Sequence, residues 1–151
     1  MRTASAILSS LHLLALAIGL PAIVMRARAL ARPLDEAGIK RVLTADTFWG
    51  LAAILWLVTG PGRAFGPLEK GTTFYMSSPL FWVKLGLFAA VFLIELPPMI
   101  AFIRWRIAHR KGQAPDLGGV RTFATLSWIE AALVVTIVFV ASFVARGLGR
   151  P

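Results

Sequence analysis

The chain has 151 residues, 58% of them hydrophobic and 15% charged, with a formal net charge of +9 and no cysteine. A soluble domain carries about a quarter charged residues, so the composition excludes an ordinary soluble core. The missing thiols exclude disulfides, iron–sulfur clusters and thiolate metal sites. The positive charge lies in short clusters beside long apolar blocks, where it orients helices and meets anionic lipid headgroups, and no basic domain is left to bind nucleic acid.

The first predicted span covers residues 5–26. Its apolar stretch is too long for a signal peptide, lacks a small-residue cleavage site and ends in "RARALAR", so a retained helix is expected. The connector after it holds Arg26, Arg28, Arg32, Lys40 and Arg41. Pro33 followed by "LDE" reads as the start of the next helix, with acids near the positive end of its dipole. The second span covers 42–60. After it, "GPGRAFGPLEKGTTFYMSSP" is expected to form a turn-rich cap without regular structure, with Phe74, Tyr75, Phe81 and Trp82 at the outer interface.

The third span, 80–103, carries Lys84 and Glu95 inside an apolar run. Pro97 and Pro98 remove two backbone donors and should kink this helix, freeing carbonyls around Leu93 and Ile94. The third connector holds Arg104, Arg106, Arg110, Lys111 and Arg121, and His109 suits a solvated helix end. The fourth span covers 122–145. At 1.5 Å per residue, each span can cross the roughly 30 Å of bilayer hydrocarbon.

These elements predict an all-α integral membrane protein: a single domain over 1–151 built as a four-transmembrane-helix bundle. Basic residues concentrate in loops one and three, which places those loops in the cytoplasm and both termini outside. His12, Ala15, Gly19, Ala22 and Arg26 follow a three-four spacing on the first helix. Asp46, Trp49, Ala53, Trp56 and Gly60 do the same on the second. That seven-residue period predicts left-handed packing with small residues at the close approaches.

A charged group at mid-depth costs at least ~2.5–3.5 kcal/mol, so such groups turn to the bundle interior. Lys84 and Glu95 are eleven residues apart, close to three turns, and share a face. Counting depth along each helix puts His12, Lys84 and Trp56 in the outer half. Glu95 and Glu130 fall at nearly equal depth in the inner half. Asp46 lies nearer the cytoplasmic face, with Arg26, Arg104 and Arg121 above or beside it. Each group has two readings. His12 is either a cross-helix hydrogen bonder or a ligand. Lys84 either lines the interior or snorkels to the interface. Glu95 and Glu130 either act as relay groups or pair with arginines as structural glue.

No HExxH, GxSxG, P-loop or dinucleotide fingerprint occurs, and no enzymatic activity is assigned. Two histidines make a poor zinc site. A haem would have one histidine with a weaker second ligand or none.

"LHLLALAIG…RARAL", "ADTFWGLAAILWLVTGPGRAFGPLEKGTTFY" and "FWVKLGLFAAVFLIELPPMIAFIRWR" together resemble an uncharacterised family of small bacterial inner-membrane proteins, a domain of unknown function of the twenty-two-hundred series. The resemblance implies a multi-pass protein of the bacterial inner membrane. "SLHLLALAIGLPAIVMRAR" and "FWVKLGL" are also similar to the oxygen-independent membrane protoporphyrinogen oxidase and copper-resistance protein D families. Carried over from the former, His12 would be an axial ligand or proton-handling group, and Lys84 would hold a porphyrin propionate or poise a proton.

The leading expectation is therefore a bundle binding haem b or a related tetrapyrrole, with redox activity. His12 would be the iron ligand, Lys84 the propionate cation and Trp56 a flat wall. A second is a proton or small-solute pathway through His12, Lys84, Glu95 and Glu130. A third is a scaffold or accessory subunit whose buried polar layer, Arg26, Asp46, Glu95 and Glu130, only holds helices together. The expected partners are the lipid bilayer, anionic lipids at the cytoplasmic face and a second copy of the chain in a homo-oligomer.

Overall fold

A computed structural model describes residues 2–65 and 76–148. Four long helices account for most of them: α1 (Arg2–Leu30), α2 (Glu36–Phe65), α3 (Pro79–Arg110) and α4 (Val120–Ala145). All four are long and apolar enough to cross a membrane. Each contains its expected span and extends beyond it.

The helices run up and down. α1 packs along both α2 and α4, α3 packs mainly on α4, and α2 meets α3 only sparsely. The connectors 31–35 and 111–119 therefore share one end, called here the basic end. Each helix buries one stripe. On α1 it runs through Ala15, Gly19, Ala22, Arg26 and Ala29, and on α3 through Phe81, Val91, Pro98, Phe102 and Trp105. The three-four steps of these stripes are those of one helix face. The remaining faces carry exposed Leu, Ile, Val and Phe, as lipid contact requires.

The α2 stripe departs from expectation by a fraction of a turn. Val42, Ala45, Trp49, Ala52 and Thr59 are buried, whereas Ala53 and Gly60 are not. A Cβ added at Gly60 would meet nothing, so Gly60 is not a close-approach position. Gly19 is one: its Cβ would stand 2.9 Å from both Ala52 and the Trp56 ring. Close α1–α2 packing at this level depends on that missing side chain.

Helix boundaries follow local chemistry. α2 starts three residues after Pro33, and the Asp35 carboxylate accepts from the Gly38 N–H at 2.7 Å. The cap is therefore aspartate, an acceptor for orphan donors, and proline only precedes it. α3 ends on Gly112, whose positive φ of 64° lets Gly112 and Gln113 donate back to His109 and Ala108. This is the double bond of a Schellman stop. α4 ends the same way on Gly147.

One sequence expectation is corrected. Gly60 to Phe65 continue α2 through Pro61, so the first part of the expected irregular cap is helical. α3 runs unbroken through Pro97 and Pro98. Pro98 lies in the buried stripe and Pro97 faces outward, and membrane helices tolerate proline at such positions. Phe74 and Tyr75 lie outside the described residues. Phe81 is fully buried against Val144, while Trp82 is half exposed.

Among the described residues the core has three apolar clusters. A central one joins Ala22, Ile23, Trp49, Val91, Ala131 and Val134. A second, at the basic end, joins Ala29, Leu30, Val42, Phe102 and Trp105. Phe81 and Val144 form the third, at the opposite end. By its place in the α1 stripe, Arg26 falls between the first and second clusters.

Candidate functional site

Arg26 is fully buried and every N–H of its guanidinium is used. Nε donates to Ser127 Oγ at 3.1 Å. Nη1 donates to Asp46 Oδ1 and Glu95 Oε1, each at 2.9 Å. Nη2 donates to Glu95 Oε2 and Glu130 Oε2, each at 2.6 Å. One side chain of α1 thus reaches α2, α3 and α4 together. Only arginine offers five donors in a planar fork, and a lysine ammonium could not make this set. Trp49 and Phe102 pack around the cation, with Cζ 5.9 Å and 5.4 Å from their ring centroids. These distances lie within cation–π range.

Further polar contacts close the α2–α3 seam. Asp46 turns its other oxygen to Arg106 Nη2 at 2.8 Å. The same Nη2 donates to the Leu43 carbonyl at 3.0 Å and to Thr47 Oγ1 at 3.1 Å. Trp49 Nε1 donates to Glu95 Oε2 at 3.1 Å. Exposure rises from zero at Glu130 through 11% at Asp46 to 31% at Arg106, so the network leads from the dry centre toward the basic end.

Its charges do not cancel when all groups are ionised. Arg26 and Arg106 supply two positive charges; Asp46, Glu95 and Glu130 supply three negative ones. One proton would make the set neutral. Among the described residues, Glu130 Oε1 is buried and has no hydrogen-bond partner. Buried polar atoms are rarely left unpaired, because each costs about 1–3 kcal/mol. Glu95 and Glu130 also accept from the same Nη2, so their Oε2 atoms are close neighbours.

The buried layer expected from sequence, Arg26, Asp46, Glu95 and Glu130, is therefore brought together around one atom group. Arg104 and Arg121 are exposed and are not its partners. Arg106, Ser127 and Trp49 are, and depth counting missed the role of each. Arg106 follows Glu95 by eleven residues, the same same-face spacing that linked Lys84 to Glu95, and that signal could have found it.

The residues expected in the outer half are placed differently. His12 Nδ1 lies 2.7 Å from Thr59 Oγ1, and that hydroxyl donates back to the Leu55 carbonyl. Lys84 Nζ stands 5.4 Å from the Phe81 ring centroid. Trp56 sits against Gly19 and meets Trp49 edge-on at 5.9 Å. His12 precedes Arg26 by fourteen residues, about 21 Å along α1. Ala15, Gly19 and Ala22 occupy that interval on the buried face. His109 is exposed at the end of α3.

The family model described as "Predicted membrane protein (DUF2214)" matches residues 4–149. No curated protein and no solved structure matches the chain.

Proposed function

We propose, from the premise that this chain belongs to that family of predicted membrane proteins, that it handles protons at the Arg26 cluster. In this reading the protein lies in the bacterial inner membrane with loops one and three in the cytoplasm. Glu130 and Glu95 take up one proton between them and release it by way of the Asp46 carboxylate, which Arg106 holds in place, toward the basic end. The observation that carries the reading is the unpartnered, buried Oε1 of Glu130 beside a network one positive charge short of neutrality. Ionisable groups within membrane spans mark proton and ion routes more often than chance burial. Protonation removes the excess charge without dismantling the Arg26 hydrogen bonds, because those use other oxygens.

Infrared difference spectroscopy on the protein in nanodiscs tests this. A pH step should produce a carboxylic-acid carbonyl band that shrinks in Glu130→Gln and disappears in Glu95→Gln/Glu130→Gln. An unchanged band in the double variant rejects the cluster as the proton site. Proton flux into proteoliposomes, lost in the same double variant, would extend the site to a transmembrane pathway.

A tetrapyrrole in the outer half is a second reading, favoured by the fixed ring of His12. Metal-ligating histidines commonly have one ring nitrogen held by a hydrogen bond, as Thr59 holds Nδ1. In this reading Lys84 meets a propionate and Trp56 forms a wall. Its test is the absorption spectrum after addition of haem b: a Soret band should be lost in His12→Ala and kept in Glu130→Gln. If both tests are blank, the remaining reading is a scaffold held together by Arg26.

A further inference from the structure

We propose that the groove between the end of α1 and the start of α4 binds the headgroup of an anionic phospholipid. This goes beyond the proton-handling reading and does not depend on it.

The groove lies at the basic end and has a volume of about 750 Å³. Leu30 and Arg32 line it from one side; Val120, Arg121, Ala124 and Thr125 line it from α4. Arg32 and Arg121 are both exposed, and among the described residues neither side chain is ion-paired. Of the other arginines of this end, Arg28, Arg104 and Arg110 are exposed but do not line the groove, and three more are engaged. Arg26 and Arg106 hold carboxylates in the bundle, and Arg41 faces Asp35 at 3.9 Å. The nearby acid, Asp116, accepts from the Gly118 N–H at 2.8 Å within the connector. Two guanidinium charges thus stand at one groove, each able to grip a phosphate in a two-pronged fashion.

The rest of the lining decides what carries that phosphate. Leu30, Val120 and Ala124 are apolar, so a free anion would lie half against a surface that offers it nothing. A lipid would present its phosphate to the arginines and its glycerol and first methylenes to these side chains. Trp128 follows Arg121 by seven residues on the same face of α4 and is 45% exposed. A tryptophan one to two turns below a basic residue is the usual arrangement at a membrane interface. The acyl chains would then continue along the outer α1–α4 surface.

The test uses the full chain in detergent, titrated with phosphatidylglycerol, phosphatidylcholine or inorganic phosphate, and read by native mass spectrometry and by thermal melting. Phosphatidylglycerol should bind and raise the Tm; phosphatidylcholine and inorganic phosphate should not. Arg32→Gln/Arg121→Gln should weaken phosphatidylglycerol binding by about tenfold or more, as expected for two cations at a lipid surface. Arg110→Gln/Lys111→Gln removes the same charge from the exposed end of α3, outside the groove, and should leave binding within about twofold. Equal losses in the two double variants would mean diffuse attraction and overturn the site. Inorganic phosphate matching phosphatidylglycerol would overturn the lipid as occupant. All four substituted residues are exposed, so folding should be unaffected, and circular dichroism checks this.

Discussion

The two halves of this bundle solve the same problem in opposite ways. Around Arg26, four helices are joined by charge: five donors meet three carboxylates and a hydroxyl, with aromatic rings on the flanks. Toward the other end, around Gly19, contact is close packing of small and aromatic side chains, with the His12–Thr59 hydrogen bond above it. Lipid supplies no hydrophobic drive between helices, so each half must rely on packing or polar contact. The difference teaches that the α2–α3 seam, sparsely packed along its length, is fastened mainly by Trp49–Glu95 and Asp46–Arg106 at the basic end. Any change in charge at the cluster therefore acts on the least packed seam of the fold.

The sharpest way to break this comparison is Arg26→Met. It leaves three carboxylates facing one another in a dry layer and should destabilise the protein by about 3–5 kcal/mol or abolish folding, read by denaturant titration or by yield of folded protein. Replacing the acids as well, with Asp46→Asn, Glu95→Gln and Glu130→Gln, should recover much of that loss. If Arg26→Met alone is as stable as the parent, the charge-fastened half is misread. Gly19→Leu probes the packed half next. Its added atoms collide with Ala52 and Trp56, and overpacking of this kind costs about 1–3 kcal/mol.

Glu95→Gln and Glu130→Gln separate two roles inside the cluster. Glu95 uses both oxygens on Arg26 and one on Trp49, whereas Glu130 uses one and leaves the other unpaired. Glu95→Gln should therefore lower thermal stability more than Glu130→Gln. The reverse order would remove Glu130 as the group with capacity to spare. The smallest effect belongs to His12→Ala, about 1 kcal/mol, since the hydrogen bond it shares with Thr59 is only partly buried and Thr59 keeps its bond to Leu55.

Much of this was legible in the chain. Long apolar runs, the grouping of arginines and the rule that charges avoid lipid were enough for four spans and for the buried layer of Arg26, Asp46, Glu95 and Glu130. The near-equal depth of Glu95 and Glu130 followed from 1.5 Å per residue. Rotation about the helix axis was less legible. A shift of one position moved burial from Ala53 and Gly60 to Ala52 and Thr59, and depth counting favoured Arg104 and Arg121 over Arg106. Proline also misled, because Pro61 remains within α2 instead of opening an irregular cap.

The sequence by itself determined which side chains must leave the lipid and how deep each one lies, because hydration free energy and helix rise are local properties. Only the tertiary structure decided that one guanidinium would serve all three acids and that one carboxylate oxygen would be left over. Those depend on the rotation of each helix against its neighbours, which packing sets and spacing along a single chain does not.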